Sequence, residues 1–536
     1  MPSPPSSPAW DFPYTSQRMP LLARNVVSTS QPLASAAGAL VLARGGNAVD
    51  AALATAITLT VVEPCMNGIG GDAFAIVWDG QRLHGLNASG RAPRRWTPAY
   101  FAKYQGDMPR RGWDSVTVPG AVSAWRALSD RFGALPFAEL FEPALRHARE
   151  GFLVSPTVRR QWQAQVPDLI GQPGYREAFA PGGEAPAIGA LWTCPGQADT
   201  LLRIARSKGD DFYRGELARA IADHARGTGG AIDEEDLAAH QCDWVQPLSV
   251  RYRAVELHEI GPNGQGIAAL MALGMLATLD LKAAGLDTAL SHHLQIEAMK
   301  LAFADLHAYL ADPEHMRQVT ADHLLAPAYL ARRARLIDPD RASAASAGAP
   351  ASGGTVYLTT ADQSGMMVSF IQSNFKGFGS GVVVPGRGIA LHNRGWGFTL
   401  QPGHPNEVGP GKRPFHTIIP GFLTVDGRPL MGFGVMGGSM QAQGHVQVVV
   451  RIADHGQNPQ AASDAPRWRV HDDNRGVSVE WNFPPKAVEG LRARGHEVRV
   501  SPRFDTEFGC AQLAMRTEHG YIAASDHRKD GYPVGF

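Results

Sequence analysis

The junction between Gly354 and Thr355 is the part of the sequence that could most directly do chemistry. A small, polar, low-complexity stretch over 337–354 ends there, at a hydroxyl residue that opens a strand-like run. If this peptide bond were cut, Thr355 would hold both a hydroxyl and a free α-amine. An α-amine has a pKa near ~7.7–8.0, so it can take the hydroxyl proton without a separate histidine. The junction is consistent with a self-activating nucleophile, but it proves little by itself, because a linker before a strand is common and most threonines at such a place are structural.

Metal-dependent and nucleotide-dependent chemistry receives little support from the sequence. It contains none of the patterns HExxH, GxxxxGK[ST] and GxSxG. His293 and Glu297 are spaced i,i+4 on a predicted helix and could in principle bind a metal ion, but no third ligand is evident. We therefore interpret them as a surface pair and predict that the protein uses no metal ion and no organic cofactor.

Charge and composition narrow the class of partner. Fifty Lys and Arg residues balance fifty Asp and Glu residues, so the basic excess typical of nucleic-acid binders is missing. The N-terminus lacks a basic segment followed by an apolar core, and no apolar run is long enough to span a bilayer. Four widely spaced cysteines favour free thiols. We predict a cytoplasmic protein that acts on a small molecule and binds neither nucleic acid nor membrane.

Two short helices and a strand are predicted near the start of the chain. A small-residue helix over Ala34–Arg44 should end at Gly45-Gly46, because glycine is favoured just after a helix. Asn47 is then a suitable N-cap for a second helix over Ala48–Ala56. A glycine turn follows and leads into a strand over Phe74–Trp78. These elements predict small-faced helices that pack closely on a sheet.

The secondary-structure pattern of the sequence changes at the junction between Gly354 and Thr355. Residues 120–340 carry mainly helical patterns, whereas strands are predicted over Thr355–Thr360, Met366–Ser373 and Pro429–Val435. Because helices and strands fall in separate blocks, the sequence favours an α+β fold in which helices cover sheet layers.

From residue 26 to residue 536 the sequence resembles the γ-glutamyltransferase family of N-terminal-nucleophile hydrolases. The resemblance rests on several motifs in the family's order, and no single one of them would carry it. They are GGNAVDAA at 45–52, Val118-Pro-Gly120, IEAMKLAFAD at 296–305, Thr355-Val-Tyr357, FGSG at 378–381, Gly411-Lys-Arg-Pro414, Met436-Gly-Gly438, Asp464-Ala-Pro-Arg467 and Ala524-Ser-Asp526.

This resemblance implies a proenzyme that cleaves itself between Gly354 and Thr355. It implies a flexible extension over 1–25, a large subunit over 26–354 and a small catalytic subunit over 355–536, the two subunits remaining together in a four-layer αββα sandwich. Thr355 falls at the family's nucleophile, and Ser373 at a hydroxyl that hydrogen-bonds it. Gly437 and Gly438 fall where the family forms its oxyanion hole from backbone N–H groups.

Several positions depart from the pattern of transferases that act on glutathione. Ser89 stands where the family places an arginine for the α-carboxylate, and Gly397 where it places an acid for the α-amine. His416-Thr417 replaces a serine pair, and Phe375 stands where an asparagine often lies. Loss of the amine-binding acid should weaken selection for an α-amino acid.

Cationic and donor-rich groups remain for a substrate carboxylate. We expect Arg91, Arg394, His416 and Thr417 to bind it, since a guanidinium presents a planar fork of donors. An ion pair that supports the fold is an equally good interpretation of Arg91.

The predicted activity is hydrolysis of a γ-glutamyl or similar small carboxylate-bearing amide through a Thr355 acyl-enzyme, favoured over transfer. The pattern resembles a cytoplasmic, glutathione-hydrolase-like branch and also oxamate amidohydrolase. Oxamate amidohydrolase activity and a glutaryl- or cephalosporin-type acylase are the alternatives within the class. A non-catalytic binding protein with the same fold is the alternative outside it. Association into a homodimer is left open.

Overall fold

The computed structural model describes residues 16–343, 354–471, 473–503 and 505–536. The strands, in chain order, are β1 Leu21–Ala23, β2 Val26–Thr29, β3 Asp72–Trp78, β4 Leu83–Ala88, β5 Phe152–Leu153, β6 Leu191–Trp192, β7 Asp243–Val245, β8 Leu248–Tyr252, β9 Val255–Glu259, β10 Gly354–Ala361, β11 Met367–Phe375, β12 Val383–Val384, β13 Ile389–Ala390, β14 Gly421–Val425, β15 Arg428–Met436, β16 Trp468–Val470, β17 Gly476–Val479, β18 Glu497–Val500, β19 Cys510–Arg516, β20 Tyr521–Ser525 and β21 Val534–Gly535.

The α-helices are α1 Pro32–Ala43, α2 Ala48–Val62, α3 Ala121–Phe132, α4 Glu142–Glu150, α5 Pro156–Gln163, α6 Val166–Leu169, α7 Tyr175–Phe179, α8 Pro195–Ser207, α9 Asp210–Arg214, α10 Glu216–Thr228, α11 Glu234–Ala238, α12 Gly266–Leu276, α13 Leu281–Ala284, α14 Ala289–Tyr309, α15 Ala321–Leu325, α16 Pro327–Ala334, α17 Met440–Ala453, α18 Pro459–Asp464 and α19 Pro485–Ala493. Among the helices of the described ranges, none combines the length and apolar character that crossing a bilayer requires.

Two large antiparallel sheets form the centre of the molecule. One has the strand order β1-β20-β19-β15-β14-β9-β8, and the other has the order β21-β2-β10-β11-β3-β4-β7. We call them the β15 sheet and the β10 sheet. Each sheet contains strands from before and from after the predicted cleavage junction, so the two predicted subunits share one fold.

Alternating side chains sort the β10 sheet into two faces. Along β3, Ala73, Ala75 and Val77 pack with α1 and α2, while Phe74 and Ile76 belong to a separate core. This alternation is the period of two that any strand imposes on its side chains.

Three apolar cores separate four layers. One lies between the helices α1 and α2 and the β10 sheet, and another lies between the β15 sheet and the helices α12, α14 and α17. The third lies between the two sheets and includes Phe74, Tyr357, Phe422 and Met436. The order helix, sheet, sheet, helix confirms the predicted αββα sandwich.

Short-range sequence signals predicted the positions of several helices and strands correctly. Asn47 caps α2 as predicted, and its side chain accepts the N–H groups of Val49 and Asp50 while Asp50 accepts the Asn47 N–H. This reciprocal capping box satisfies donors that a helix start otherwise leaves without partners.

Of the predicted flexible extension over 1–25, residues 1–15 lie outside the described residues, and the remaining part differs from the prediction. Leu21–Ala23 forms β1, which pairs with β20 and adds an edge strand to the β15 sheet. This strand could not be predicted from the sequence because three residues are too few to show a periodic pattern. The part of the predicted linker over 344–353 lies outside the described residues.

Candidate active site

Thr355 and Ser373 meet at one end of the β10 sheet. Thr355 lies in β10 with the inward-facing parity of Tyr357, and Ser373 lies in β11 with the parity of Ile371, so both face the space between the sheets. Their hydroxyl oxygens are 3.1 Å apart, and Thr355 is 1% exposed. The Ser373 Oγ also accepts the Phe375 N–H at 2.8 Å, which fixes its orientation. The pair predicted from the resemblance is therefore in hydrogen-bonding contact.

Because the two sheets stack on each other, Gly437 and Gly438 lie at the same end of the sandwich as Thr355 and Ser373. A Cβ on Gly432 would lie 2.8 Å from Thr359 Oγ1, and one on Gly434 would lie 2.5 Å from the Tyr357 ring. Each step of two residues along β15 thus matches a step of two back along β10. If this pairing between the sheets continues by two more residues, Met436 lies level with Thr355. Gly437 and Gly438 come directly after Met436 in the chain.

The glycine pair has a backbone that other residues rarely adopt. Gly437 has φ 128° and Gly438 has φ 63° as the chain passes from β15 into α17. The Gln265 side chain donates to the Gly438 carbonyl at 2.7 Å and also to the Thr417 carbonyl. Gln265 therefore ties the glycine turn to the predicted substrate-binding segment. Nothing in its sequence context had suggested this.

Asp72 is the centre of a buried polar cluster beside Ser373. The two residues are register partners across β3 and β11, so their side chains share a face. Asp72 Oδ1 accepts the Gly90 and Gly120 N–H groups, both at 3.1 Å. Its Oδ2 lies 3.0 Å from His416 Nε2 and 3.3 Å from His392 Nδ1. We call Asp72, His392, Arg394, His416 and Thr417 the Asp72 cluster.

Sequence reasoning missed Asp72 and His392 as members of this site. The available signal was an acid directly after the glycine turn Gly70-Gly71, although that pattern alone could not show what the acid contacts.

The electrostatics of the cluster favour an ionised Asp72 and a neutral His416. Burial alone would raise the pKa of Asp72, but the charge of His392 and the hydrogen bonds of His392 and His416 hold that pKa well below its usual range. Burial and then the charge of Arg394 lower the pKa of His416 to about 3. The remaining ring nitrogen of His416 accepts the Ile418 N–H at 3.4 Å. His416 thus holds Asp72 and the backbone with its two nitrogens.

Arg394 is fully buried in this cluster, and some of the N–H donors of its guanidinium group have no partner. Its Nη1 donates to Thr417 Oγ1 at 3.0 Å, and its Cζ lies 3.9 Å from the centre of the Phe375 ring. Its Nε and Nη2 have no hydrogen-bond partner among the described residues. Burial lowers the pKa of Arg394 to about 9, against the effect of Asp72, so the guanidinium is still charged at pH 7. A buried cation with two open donors is suited to bind an anion.

Arg91 lies in a different environment from the other three predicted substrate-binding residues. Its Nη1 lies 3.4 Å from Asp312 Oδ2 and donates to the Gly411 carbonyl at 3.1 Å, and its side chain is 37% exposed. These contacts match the alternative interpretation, an ion pair that supports the fold. Of the predicted substrate-binding set, the structure brings together Arg394, His416 and Thr417.

The interpretation of His293 and Glu297 as a surface pair is wrong. Both are buried on α14, and His496 is the third group that the sequence could not reveal. Lys300 Nζ lies 3.0 Å from Glu297 Oε1 and 3.4 Å from His496 Nδ1, so an ammonium already supplies the cation there. We call His293, Glu297, Lys300 and His496 the Glu297 cluster. Its own lysine satisfies it, and we assign it no metal ion.

Comparisons with known proteins give matches over almost the whole chain. The family model described as gamma-glutamyltranspeptidase matches residues 34–536. The chain is 34% identical over 520 residues to the glutathione hydrolase-like YwrD proenzyme of Bacillus subtilis, covering 96% of this chain and 98% of the relative. It is 35% identical over 517 residues to the oxamate amidohydrolase proenzyme of Klebsiella pneumoniae, covering 94% and 97%.

A solved structure extends the likeness to three dimensions. The crystal structure of a cephalosporin acylase from Bacillus halodurans superposes with a TM-score of 0.95 at 46% identity and covers 99% of each chain. The sandwich is that of the N-terminal-nucleophile hydrolases, and the chain is an enzyme of the kind that these relatives represent. On the match of a family model to almost its whole length, the chain belongs to the gamma-glutamyltranspeptidase family.

Proposed function

We propose that this protein is an autoprocessed amide hydrolase that cleaves a γ-glutamyl or similar small carboxylate-bearing amide through a Thr355 acyl-enzyme. The observation that carries the proposal is the placement of Thr355 Oγ1 at 3.1 Å from Ser373 Oγ, beside the Asp72 cluster with its incompletely partnered Arg394. A nucleophile and an anion-binding group thus lie at one end of the space between the sheets.

Maturation requires one water molecule and no other reactant. The Thr355 hydroxyl attacks the Gly354 carbonyl carbon, the Gly354–Thr355 C–N bond breaks, and the proton passes to the released α-amine. Water then attacks the resulting ester, so Gly354 ends as a carboxylate and Thr355 regains its hydroxyl. The products are the large subunit that ends at Gly354 and the small subunit that begins at Thr355.

Catalysis repeats this chemistry on a separate amide. The neutral α-amine of Thr355 takes the hydroxyl proton as the oxygen attacks the carbonyl carbon, and it returns a proton to the departing amine as the C–N bond breaks. Water attacks the acyl ester, its C–O bond to Thr355 breaks, and a carboxylic acid leaves. The Gly437 and Gly438 N–H groups stabilise the negative oxygen of each tetrahedral intermediate. Ser373 keeps the hydroxyl oriented.

The acyl group is selected by its carboxylate. Arg394 and Thr417 bind that carboxylate at the closed end of the site, where exclusion of water strengthens charge-assisted hydrogen bonds. Asp72 is the carboxylate whose charge raises the pKa of Arg394, and two backbone N–H groups and two histidines already occupy its oxygens. A substrate α-ammonium would therefore meet no available anion there. Selection for a glutamyl amine is weak, and relatives named for oxamate and for cephalosporin fit this acyl side better than a strict glutathione enzyme.

Hydrolysis is favoured over transfer for the same reason. Efficient transfer requires the acyl-enzyme to persist until an acceptor amine arrives, and a firm hold on both charges of a glutamyl group supports that persistence. Because no anion binds the α-ammonium of the glutamyl acyl group, water is the more frequent acceptor.

The deciding experiment is intact-mass analysis of the purified wild type beside Thr355→Ala. Scaling 57.4 kDa by 354/536 and 182/536 predicts wild-type fragments of roughly 38 and 19.5 kDa. The Thr355→Ala variant should remain one chain. Matured enzyme is then offered γ-glutamyl, oxamate and glutaryl amides. A wild type that stays uncut and hydrolyses none of them would support a non-catalytic member instead.

A further inference from the structure

One buried side chain joins the glycine turn to the proposed carboxylate site. Gln265 directly precedes α12, and its Nε2 donates to the Gly438 carbonyl at 2.7 Å and to the Thr417 carbonyl. The side chain is fully buried, and its Oε1 has no hydrogen-bond partner among the described residues. Because only the nitrogen of a carboxamide can donate, the two carbonyls fix the orientation of this amide. Gln265 therefore connects two parts of the site that lie far apart in the chain.

The glycine turn is supported on its other side by His445. The ladder between β14 and β15 ends at the pair Gly421 and Phe433, two residues before Val435. His445 Nε2 accepts the Val435 N–H at 3.2 Å, so a side chain of α17 replaces the missing strand partner. The turn that follows β15 thus has one support before it, at Val435, and one after it, at the Gly438 carbonyl.

Backbone hydrogen bonds hold the Thr417 segment independently of the Gln265 side chain. The Gln265 N–H donates to the His416 carbonyl, and the His416 N–H donates to the Asn263 carbonyl, both at 2.9 Å. Thr417 Oγ1 accepts from Arg394 Nη1 at 3.0 Å. None of these bonds uses the Gln265 amide group, so the carboxylate site should survive its loss.

The glycine turn depends more strongly on that amide group. The Gly438 carbonyl also accepts the Gln441 N–H, but at 3.2 Å and not at the 2.7 Å of the Gln265 contact. Glycine has no Cβ to restrict its backbone, so a peptide group at Gly438 that loses a hydrogen bond rotates readily. Such rotation would move the N–H groups away from the developing oxyanion, and a misplacement of about 1 Å can cost ~100-fold in rate.

We propose that Gln265 is a positioning residue that transmits the binding of the acyl carboxylate to the oxyanion hole. A carboxylate that completes the partners of Arg394 also restrains Thr417, and Gln265 carries this restraint to the Gly438 carbonyl. The glycine N–H groups are then best aligned when the correct acyl group is bound, so part of the carboxylate's binding energy appears in kcat. The inference rests on the proposed amide hydrolysis and adds how that site discriminates between acyl groups.

The test compares two 4-nitroanilides that differ only in the charge of the acyl group. Glutaryl 4-nitroanilide carries a carboxylate, and a primary carboxamide replaces it in the neutral, nearly isosteric counterpart. If γ-glutamyl proves the better acyl group, the pair is made by converting its α-carboxylate to the carboxamide. Release of 4-nitroaniline reports cleavage of the anilide bond alone.

The kcat ratio of the two anilides measures the proposed coupling. Acylation and deacylation both pass through a negative oxygen at the glycine turn, so kcat reports on the turn whichever step is slower. We expect the wild-type kcat to be at least about tenfold higher for the carboxylate compound, a factor that corresponds to ~1.4 kcal/mol. KM for this compound should also be lower, through its contact with Arg394.

Two substitutions of Gln265 separate coupling from simple support of the fold. In Gln265→Met the kcat ratio should fall at least fivefold, while the KM ratio stays within about twofold of the wild type because Arg394 and Thr417 remain in place. Gln265→Asn is shorter by one methylene group and can reach one carbonyl but not both, so its kcat ratio should fall less. Self-cleavage into two fragments and the melting temperature check that each variant has folded.

Gln447→Met is the matched control. Gln447 is also a buried glutamine, and its side chain donates to the Trp468 carbonyl at 3.0 Å and accepts the Trp468 N–H at 3.1 Å. This substitution therefore removes two similar hydrogen bonds of α17 away from the glycine turn. Its kcat ratio and KM ratio should equal those of the wild type.

The outcomes distinguish this inference from the proposed function. A wild type with equal kcat for both anilides, or a Gln265→Met variant that slows both equally, overturns the inference and leaves the amide hydrolase standing. A changed KM ratio with an unchanged kcat ratio, or failure of both Gln265 variants to mature, also overturns it. A wild type that neither self-cleaves nor hydrolyses either compound overturns the inference and the proposed function together.

Discussion

The Asp72 cluster and the Glu297 cluster contain the same kinds of side chain and differ in how their cation is partnered. Each buries a carboxylate, two histidines and one long basic side chain. In the Glu297 cluster, Lys300 contacts Glu297 and His496, and Glu297 Oε2 accepts the Ser343 N–H at 2.8 Å. In the Asp72 cluster, Arg394 has two nitrogens without partners.

This difference is the one we expect between a cluster that supports the fold and a cluster that binds a ligand. A buried polar group without a partner costs the fold free energy, so such a group persists where a ligand completes it. The Glu297 cluster is complete, and it joins α14 to the chain before the predicted cleavage linker through His293 and the Asp338 carbonyl at 2.7 Å. Histidines and carboxylates in a buried group therefore do not by themselves indicate a site; the open donors do.

The largest expected effect is on stability, in the Glu297 cluster. Lys300→Met leaves Glu297 as a buried carboxylate without its cation, and breaking such a pair typically costs ~3–5 kcal/mol. We expect a clear fall in the melting temperature of the matured protein, with kcat/KM per folded molecule within about twofold of the wild type. Loss of activity at an unchanged melting temperature would contradict the structural role of this cluster.

The converse is expected of Arg394→Met in the Asp72 cluster. Removing the charge that binds the acyl carboxylate should lower kcat/KM by about 100-fold, or ~2.7 kcal/mol, chiefly through KM. The melting temperature should hold or rise, because a buried guanidinium with unused donors no longer has to be accommodated. Arg394→Lys, which keeps the charge and loses the fork, should fall between the two. A destabilised variant with unchanged KM would place Arg394 with the structural groups.

The pH dependence of kcat tests whether an α-amine is the base. Its ordinary pKa is ~7.7–8.0, so kcat should rise about tenfold between pH 6 and pH 7 and level off above about pH 8.5. The sign follows from the chemistry, since only the deprotonated amine accepts the hydroxyl proton. Burial and Arg394 lower the pKa of His416 to about 3, so this group stays neutral over the whole range and adds no step. A kcat that is flat from pH 5 upward would indicate a different base.

The smallest expected effect is that of Phe375→Leu. Its ring stacks on the Arg394 guanidinium at 3.9 Å, and a desolvated cation–π contact contributes on the order of 1 kcal/mol. KM for the carboxylate-bearing substrate should rise about fivefold with little change in kcat. Phe375→Tyr, which keeps the aromatic face, serves as the control. Equal effects of the two substitutions would mean that the aromatic face of Phe375 does not set the position of Arg394.

The site was only partly predictable because its members come from distant parts of the chain. Thr355, Ser373 and the glycine pair were located because they sit in motifs of local sequence, and the contact between the two hydroxyls agrees with that assignment. Arg91 was assigned by residue type and proximity to a motif, and its guanidinium instead pairs with Asp312. Residue type fixes what a side chain can bind, whereas its partner depends on how the chain is packed.

The sequence by itself determined the features that depend on neighbours along the chain. These features depend on short-range hydrogen bonding and on the periodicity of hydrophobic residues. They are the capped start of α2 at Asn47, the strand that opens at Thr355 and the ordered family motifs. Only the tertiary structure decided that Asp72 meets His416, 344 residues away, and that His496 completes a group with His293 and Glu297. Sheet register and layer stacking create those contacts, and no local pattern encodes which buried cation the fold leaves without a full set of partners.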